Sequence, residues 1–347
     1  MHYLREAARR LFPRQHSVTA AGGSSGLSGS AFARVEASGR SWCLRRWPLG
    51  FEERRLRFIH RVLSENRSRG FAGVPELTKT EDGETVLTVA GRLYDAQEWL
   101  AGEPLSKVRP GGGSMPNVVV PSSPVRIASL ATALARFHRS TAHLSPQRWN
   151  VVSSLSARLA GLAEDSETRH EALLSGVQVR AEGEGRHTAL RWLELLPGTV
   201  AAARDVSERL PEEASGGYAL CHGDLWPAHT HFDGNTFVGF TDFESLCFAS
   251  PGLDLTQLML HFGAWEMRED VLRSYETGAP LAEHDRSVLP IEAVVDLAAE
   301  GYWSLEVVYG DASSETTSAQ RVAHLLNLRE FLGSLERIAE EMRMIVG

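Results

Sequence analysis

Tyr218-Ala219-Leu220-Cys221-His222-Gly223-Asp224-Leu225-Trp226-Pro227-Ala228-His229 sets an acidic residue in a loop bounded by glycine and proline. The chain continues through Thr230-His231-Phe232, turns at Asp233-Gly234-Asn235, and returns as Phe237-Val238-Gly239-Phe240-Thr241-Asp242-Phe243-Glu244. Two apolar runs about an Asp-Gly-Asn turn read as a β-hairpin. A hairpin brings its ends together, so His229 and Asp242 are expected side by side, with Asp224 one loop away. Phosphoryl transfer needs one carboxylate to accept a hydroxyl proton and a second to hold a divalent cation. The plain alternative is a capping Asp and a turn Asp on a solvated loop. Both acids in this combination favour the chemical reading.

The rest of the chain divides around this insert. Before it, Val18 to Ala21 leads into a glycine-serine loop, Gly22 to Ser30. Ala31 to Ala37 and Ser41 to Trp47 then read as strands about a Ser38-Gly39-Arg40 turn. Phe51 to Glu65 carries a helical apolar stripe through Leu56, Ile59 and Leu63, flanked by Phe58 and Val62. Strands follow at Glu84 to Ala90 and Arg92 to Trp99. Pro110 to Pro124 is rich in Gly, Pro and Ser and reads, with the residues just before it, as a mobile linker over about 106–124. Helical patterns then cover Ser129 to His138, Val152 to Ala163, Thr188 to Leu196, Pro290 to Val308 and Ala319 to Met344. The glycine loop is no Walker loop, because no Gly-Lys-Ser/Thr follows and it feeds a strand. A glycine-rich turn between antiparallel strands still lays backbone N–H groups over phosphates, and Gly26, Ser28, Gly29 and Ser30 are the candidates.

His222-Gly223-Asp224 with a ligand five residues on, then Asp242 closing the hairpin, resembles the aminoglycoside phosphotransferase and choline kinase-like family. It resembles more remotely the protein kinase pattern H-R-D-x-x-x-x-N followed by D-F-G. Leu253-Asp254-Leu255 after Ser250-Pro251 is similar to that family's downstream D-P-x-x-D-L element, and the N-terminal features occur in the family's order. The resemblance implies an α+β, two-lobed protein kinase-like fold. Residues 1–101 would be a small antiparallel β-sheet lobe with one helix, and 102–347 a larger, mainly helical lobe. It implies Asp224 as catalytic base, Asp242 as principal metal ligand, a structural His222, and Asp254 anchoring the loop through buried hydrogen bonds. Arg45 stands where most relatives have a phosphate-gripping lysine, and Glu53, or else Glu52, is expected to pair with it. Backbone groups near Glu98 and Leu100 are expected to bond the base. Two positions depart from the family. His229 replaces the usual Asn, and imidazole suits a softer metal such as Mn²⁺ better than Mg²⁺. His231 replaces an apolar residue that floors the nucleobase pocket.

The expected cofactors are therefore ATP, with GTP as the alternative, and Mg²⁺ or Mn²⁺; the expected partner is a small hydroxyl acceptor. Carboxylates on the late helices, Glu300 and Glu306, with Trp303, are acceptor-binding candidates, against the plainer view that they sit on a solvated helix face. A net charge of −8 disfavours nucleic acid. No apolar run reaches the roughly 20 residues that span a bilayer. Cysteine occurs only at 43, 221 and 247, which points to a reducing, cytoplasmic compartment. A monomer or homodimer is expected. Two rival classes stand beside the kinase. One is a catalytically impaired, pseudokinase-like nucleotide-binding protein. The other is a metal-binding regulatory protein using His229 and His231, which share a face if both lie on a strand.

Overall fold

A computed structural model describes residues 2–20, 29–105, 107–108, 114–115, 117–146, 151–210, 218–310 and 317–346. The chain divides into two compact units, one of residues 1–103 with 231–244, the other of residues 104–230 with 245–347.

The first unit is built on a five-stranded antiparallel sheet of β1 (His16–Ala20), β2 (Ala31–Ala37), β3 (Arg40–Arg46), β4 (Leu87–Val89) and β5 (Arg92–Glu98), in the order β1-β2-β3-β5-β4. Alternation fixes its faces. Ala33 pairs with Leu44 and Val35 with Trp42, all buried, while Arg34 and Glu36 point to solvent. The apolar face is covered by α1 (His2–Leu11), an amphipathic helix that composition alone did not reveal; Leu4, Ala7, Ala8 and Leu11 pack on Val35, Trp42, Leu44 and Tyr94. The stripe read from sequence forms α2 (Glu53–Ser68), burying Leu56, Ile59 and Leu63. Each such leucine contributes about 1.5–3 kcal/mol relative to an exposed one. Period two along β3 sets Arg45 on the face opposite Leu44. The hairpin β10 (Thr230–Asp233) and β11 (Thr236–Phe240) turns at Gly234 (φ 58°) and lies beside the two-residue β6 (Glu103–Pro104), in the order β11-β10-β6. Gly102 (φ 73°) sits against the Phe232 carbonyl, where a side chain would collide. From residue 231 the hairpin counts with this unit rather than with the helical residues on either side of it in sequence.

The second unit is helical. It comprises α3 (Pro124–Thr141), α4 (Leu155–Arg180), α5 (Gly183–Arg209), α6 (Gly252–His261), α7 (Arg268–Glu276), α8 (Glu283–Ser287), α9 (Leu289–Tyr309) and α10 (Ser318–Val346). Two short ladders accompany them, β7 (Lys107–Val108) on β8 (Ser114–Met115), and β9 (Ala219–Cys221) on β12 (Cys247–Ala249). Ser123 and Ser154 cap α3 and α4 by accepting from the backbone N–H of Arg126 and Ala157. α9 is apolar almost all round and runs through the core between α4, α5, α6 and α10. Gly301 lets it close on the Trp192 ring of α5, whose indole N–H donates to the Leu328 carbonyl at 2.7 Å.

Of the expected linker over 106–124, residues 106, 109–113 and 116 lie outside the described residues, and 117–123 depart from the expectation. Val118 and Val119 are buried, and Asn327 of α10 clamps them, its amide oxygen accepting from Val119 N at 3.2 Å and its NH₂ donating to Asn117 O at 2.8 Å. Val120 N and Ser122 N donate to the His261 and Phe262 carbonyls. Satisfied backbone and buried valines make 117–123 a fixed segment.

Candidate active site

In the helical unit the loop after β9 is held from one helix. Cys221 pairs with Cys247 across the β9–β12 ladder, which starts the loop at His222. Gly223 has φ 77°, and a Cβ there would strike the Ser245 carbonyl oxygen, so only glycine fits the bend. Asp254, fully buried in the first turn of α6, accepts from His222 N at 2.7 Å and from Gly223 N at 2.9 Å. Its Oδ2 also meets His138 Nε2 at 3.0 Å, and His138 Nδ1 meets the Tyr275 hydroxyl at 2.8 Å. Burial pushes the Asp254 carboxyl up, but the bond and charge of His138, the charge of His222 and the Gly223 amide bring it below the ordinary value. One turn on, Gln257 accepts from Leu225 N at 2.9 Å; another turn on, His261 Nδ1 bonds Leu225 O at 3.0 Å. Asp254, Gln257 and His261 stand at i, i+3 and i+7, one face of α6.

Asp224 is left projecting from this clamped loop, with its side chain 34% exposed. Trp226 N donates to the Asp224 carbonyl at 3.0 Å, and the buried His229 points Nδ1 at the same oxygen at 2.9 Å, 3.6 Å from Asp224 Oδ2. A carbonyl only accepts, so Nδ1 carries a proton. His229 closes a 3₁₀ turn, Pro227–His229, before β10 begins at Thr230. The two-residue strand alternation invoked for a His229–His231 metal pair therefore does not apply; His231 is a half-buried residue of β10. His138, Cys221 and Asp254 have donor atoms within 4.8 Å of one another, but Asp254 is already bonded to two loop amides and to His138, so the group reads as bracing. Glu300 lies half-buried on α9; desolvation, with Asp296 and Asp224 nearby, pushes its carboxyl up to about 7 against the opposing charge of His261.

In the sheet unit the centre is Arg45. Its guanidinium, 7% exposed, bonds Asp242 Oδ1 at 3.1 Å and Ser30 Oγ at 3.0 Å and forms an ion pair with Glu244. It lies over the Trp47 ring, 3.9 Å from the centroid. Asp242 has φ 61°, a left-handed conformation that Asp tolerates better than most residues and that turns the chain out of β11. The expected Arg45–Glu53 pair is not formed. Glu53 is half-exposed at the start of α2 and pairs with Arg57 at 2.8 Å, and Glu52 pairs with Arg54 at 2.7 Å. What α2 sends toward the site is an arginine, Arg55, whose Nη2 donates to the Glu244 carbonyl. α2 also supplies His60, which meets Asp95 of β5 at 2.9 Å; Trp47 Nε1 donates to the other Asp95 oxygen at 3.0 Å. Ser30 is fully buried, and Gly29 is exposed with φ 75°. Gly26 and Ser28 lie outside the described residues.

Glu98 does not offer its N–H to a base, because that group donates to the Glu76 carbonyl at 2.7 Å; its carboxylate pairs with Arg67 at 3.0 Å. Leu100 is buried, with its side chain over Gly239. Trp99 is 39% exposed, and Arg34 lies over its ring.

The profile of the phosphotransferase enzyme family matches residues 19–286. The chain belongs to this family. No curated protein matches the phosphotransferase sequence. Solved structures do. An aminoglycoside phosphotransferase from Alicyclobacillus acidocaldarius is 18% identical, covers 94% of this chain and 93% of its own, and superposes with a TM-score of 0.60. A spectinomycin phosphotransferase solved with ADP and spectinomycin is 11% identical, with coverage of 99% and 98% and a TM-score of 0.64. A microcompartment-associated aminopropanol kinase is 16% identical, with coverage of 99% and 98% and a TM-score of 0.63. The phosphotransferase thus has the α+β, kinase-like fold, a small antiparallel sheet unit and a larger helical one. Among the described residues, no helix of the phosphotransferase is long and apolar enough to cross a membrane.

Sequence reasoning missed Gln257 and His261, although their spacing from Asp254 was a readable helical face. It also missed Asp296, an acid inside an apolar helix, and Glu244, two residues past Asp242. His138 gave no signal, because in SLATALARFH it looks like any helix residue.

Proposed function

We propose that this phosphotransferase moves the γ-phosphate of ATP, or of GTP, to a hydroxyl of a small acceptor such as an amino sugar, amino alcohol, nucleoside or sugar. One observation carries the reading. Asp224 stays accessible on a loop whose backbone at 222, 223 and 225 is bonded by the buried side chains Asp254, Gln257 and His261. A base fixed before the acceptor arrives avoids the cost of ordering it during the reaction.

Asp224 accepts the acceptor's hydroxyl proton. Asp242 is assigned to the divalent cation, Mg²⁺ or Mn²⁺, and His229 is a further ligand candidate; a carboxylate oxygen suits either ion, and an imidazole nitrogen suits Mn²⁺ better. When bound, the ion neutralises charge on the phosphate oxygens. Arg45 contributes a guanidinium that forks phosphate oxygens, with Gly29 and Ser30 beginning the phosphate strand. The unit of residues 1–103 and 231–244 is assigned to the nucleotide, the helical unit to the acceptor. We place the reaction in the cytoplasm, consistent with three cysteines that form no disulfide.

A nucleotide- or metal-binding regulatory protein without turnover is the second reading, supported by the engagement of Arg45 with Asp242, Glu244 and Ser30. Two experiments separate them. A thermal-shift screen of ATP and GTP with each metal should stabilise the chain by about 2.7 kcal/mol at about 100 times Kd, and Asp242→Ala should abolish the shift. A phosphorylation screen over hydroxyl metabolites should then yield a product, with kcat about 10²–10⁴-fold lower in Asp224→Ala and nucleotide binding kept. No stabilisation by any pair removes both readings; stabilisation without product leaves the regulatory one.

A further inference from the structure

His261 occupies an unusual position for a histidine, because both ring nitrogens face acceptors. Nδ1 lies 3.0 Å from the Leu225 carbonyl and Nε2 lies 3.0 Å from Asp296 Oδ2. A carbonyl oxygen cannot donate, so Nδ1 carries a proton. The other Asp296 oxygen accepts from Gln257 Nε2 at 3.4 Å, which suits a carboxylate, so Nε2 carries a proton as well. The ring is stacked on Trp226 at 3.9 Å and 16°, a contact that favours a cation over the indole face. Three independent contacts thus select one protonation state, in a side chain only 1% exposed.

We propose that His261, held as an imidazolium between Leu225 and Asp296, is the positioning residue that fixes Asp224 in the geometry of a general base. The residues it holds are the two that follow Asp224, one through a carbonyl and the other through its ring. Asp254 holds the two that precede Asp224 through their amides. Of the three clamps on α6, His261 is the one whose hold depends on a titratable proton. The charged groups facing it are Asp296 and Glu300 from α9, with Asp224 on the loop acting on Glu300; α10 presents the apolar Phe331. Burial alone would drive the proton off, but Asp296, Glu300 and the Leu225 carbonyl outweigh it and raise the titration above the ordinary 6.5. The stabilising contribution is therefore complete below 6.5 and is lost as pH rises through the raised value.

The inference rests on Asp224 being the base, so its test has an arm that does not need turnover. In the full chain with ¹⁵N-labelled histidine and backbone, the His261 ring should show two protonated nitrogens at pH 7. After correction for intrinsic exchange, the Leu225 and Trp226 amides should exchange at least tenfold faster once the second proton leaves. His261→Phe, which keeps a ring on Trp226 but has no donor, should show the fast exchange at every pH. Asp296→Asn, the milder change, should lower the titration midpoint if His261→Phe does not fold. A neutral ring at pH 7 overturns the proposal, as does wild-type exchange at both amides in His261→Phe, or an unmoved midpoint in Asp296→Asn. With ATP·Mg²⁺ and an acceptor from the metabolite screen, kcat should fall at least tenfold in His261→Phe while the nucleotide Kd stays. An unchanged kcat also overturns it. A wild-type chain that transfers no phosphate removes the proposed function, and the ring and amide measurements still decide what His261 does to the loop.

Discussion

Arg45 is buried, and its charge is met by two carboxylates, Asp242 and Glu244, from a segment far along the chain. Removing a buried cation from such a set strands its partners, so Arg45→Met should cost about 1.5–3 kcal/mol, read from urea unfolding. Glu244→Gln keeps the fold and loosens the guanidinium, and should weaken nucleotide binding several-fold by calorimetry. The family resemblance singled out Arg45, and period two in Ser41 to Trp47 set Arg46 on the opposite face. Its partner was not legible, because Glu53 and Glu52 follow it closely in sequence but face solvent, where they bond Arg57 and Arg54 instead. Glu300 makes a different residue-level prediction. Its carboxyl is raised from 4.5 to about 7, so the folded chain binds more protons than the unfolded one between those values. Stability contributed by Glu300 must fall as pH rises through that window. The melting-temperature gain of Glu300→Gln over wild type should grow from pH 4.5 to 7 and then level off.

At the scale of elements, sequence and structure meet at the loop after β9 and its anchor Asp254 in the first turn of α6. Gly223 is the hinge point, and Gly223→Ala combines a left-handed backbone with a clash on the Ser245 carbonyl. It should cost about 1–3 kcal/mol and reduce turnover more than nucleotide affinity, by stopped-flow and calorimetry. Asp254 was readable as the loop's anchor from its place after Ser250-Pro251, and two backbone amides confirm the anchoring. The rest of α6 was not read as a helix, because its first turn lies inside the glycine- and acid-rich insert and hides the periodicity that follows. The segment 117–123 shows the reverse. Proline, serine and valine there look unstructured in composition, yet Asn327, over 200 positions away, supplies the bonds that order them. Long-range partners of this kind leave no local trace.

At the scale of the whole molecule, strands before residue 100 and long helices after 124 were enough to expect a β-rich part and a helical part, and the family resemblance made the expected fold kinase-like. What they did not show is that α1 covers one face of the sheet and that residues 231–244 cluster with the first unit. His2–Leu11 lacked the apolar density of a core helix because two alanines supply half of its buried face. Deleting residues 2–11 should expose Val35, Trp42 and Leu44, and the truncated chain should bind a hydrophobic dye and lose the nucleotide-induced rise in melting temperature. The Arg45 cluster has a consequence for control. Many switches work by swinging a helix whose glutamate engages or releases a cation on the neighbouring strand. Here the counter-ion Glu244 stands two residues past Asp242, and α2 sends the positive Arg55 to its carbonyl. Tilting α2 would therefore leave Arg45 matched with Asp242 and Glu244, whereas a shift of the segment 242–244 would withdraw both anions from it in a single movement.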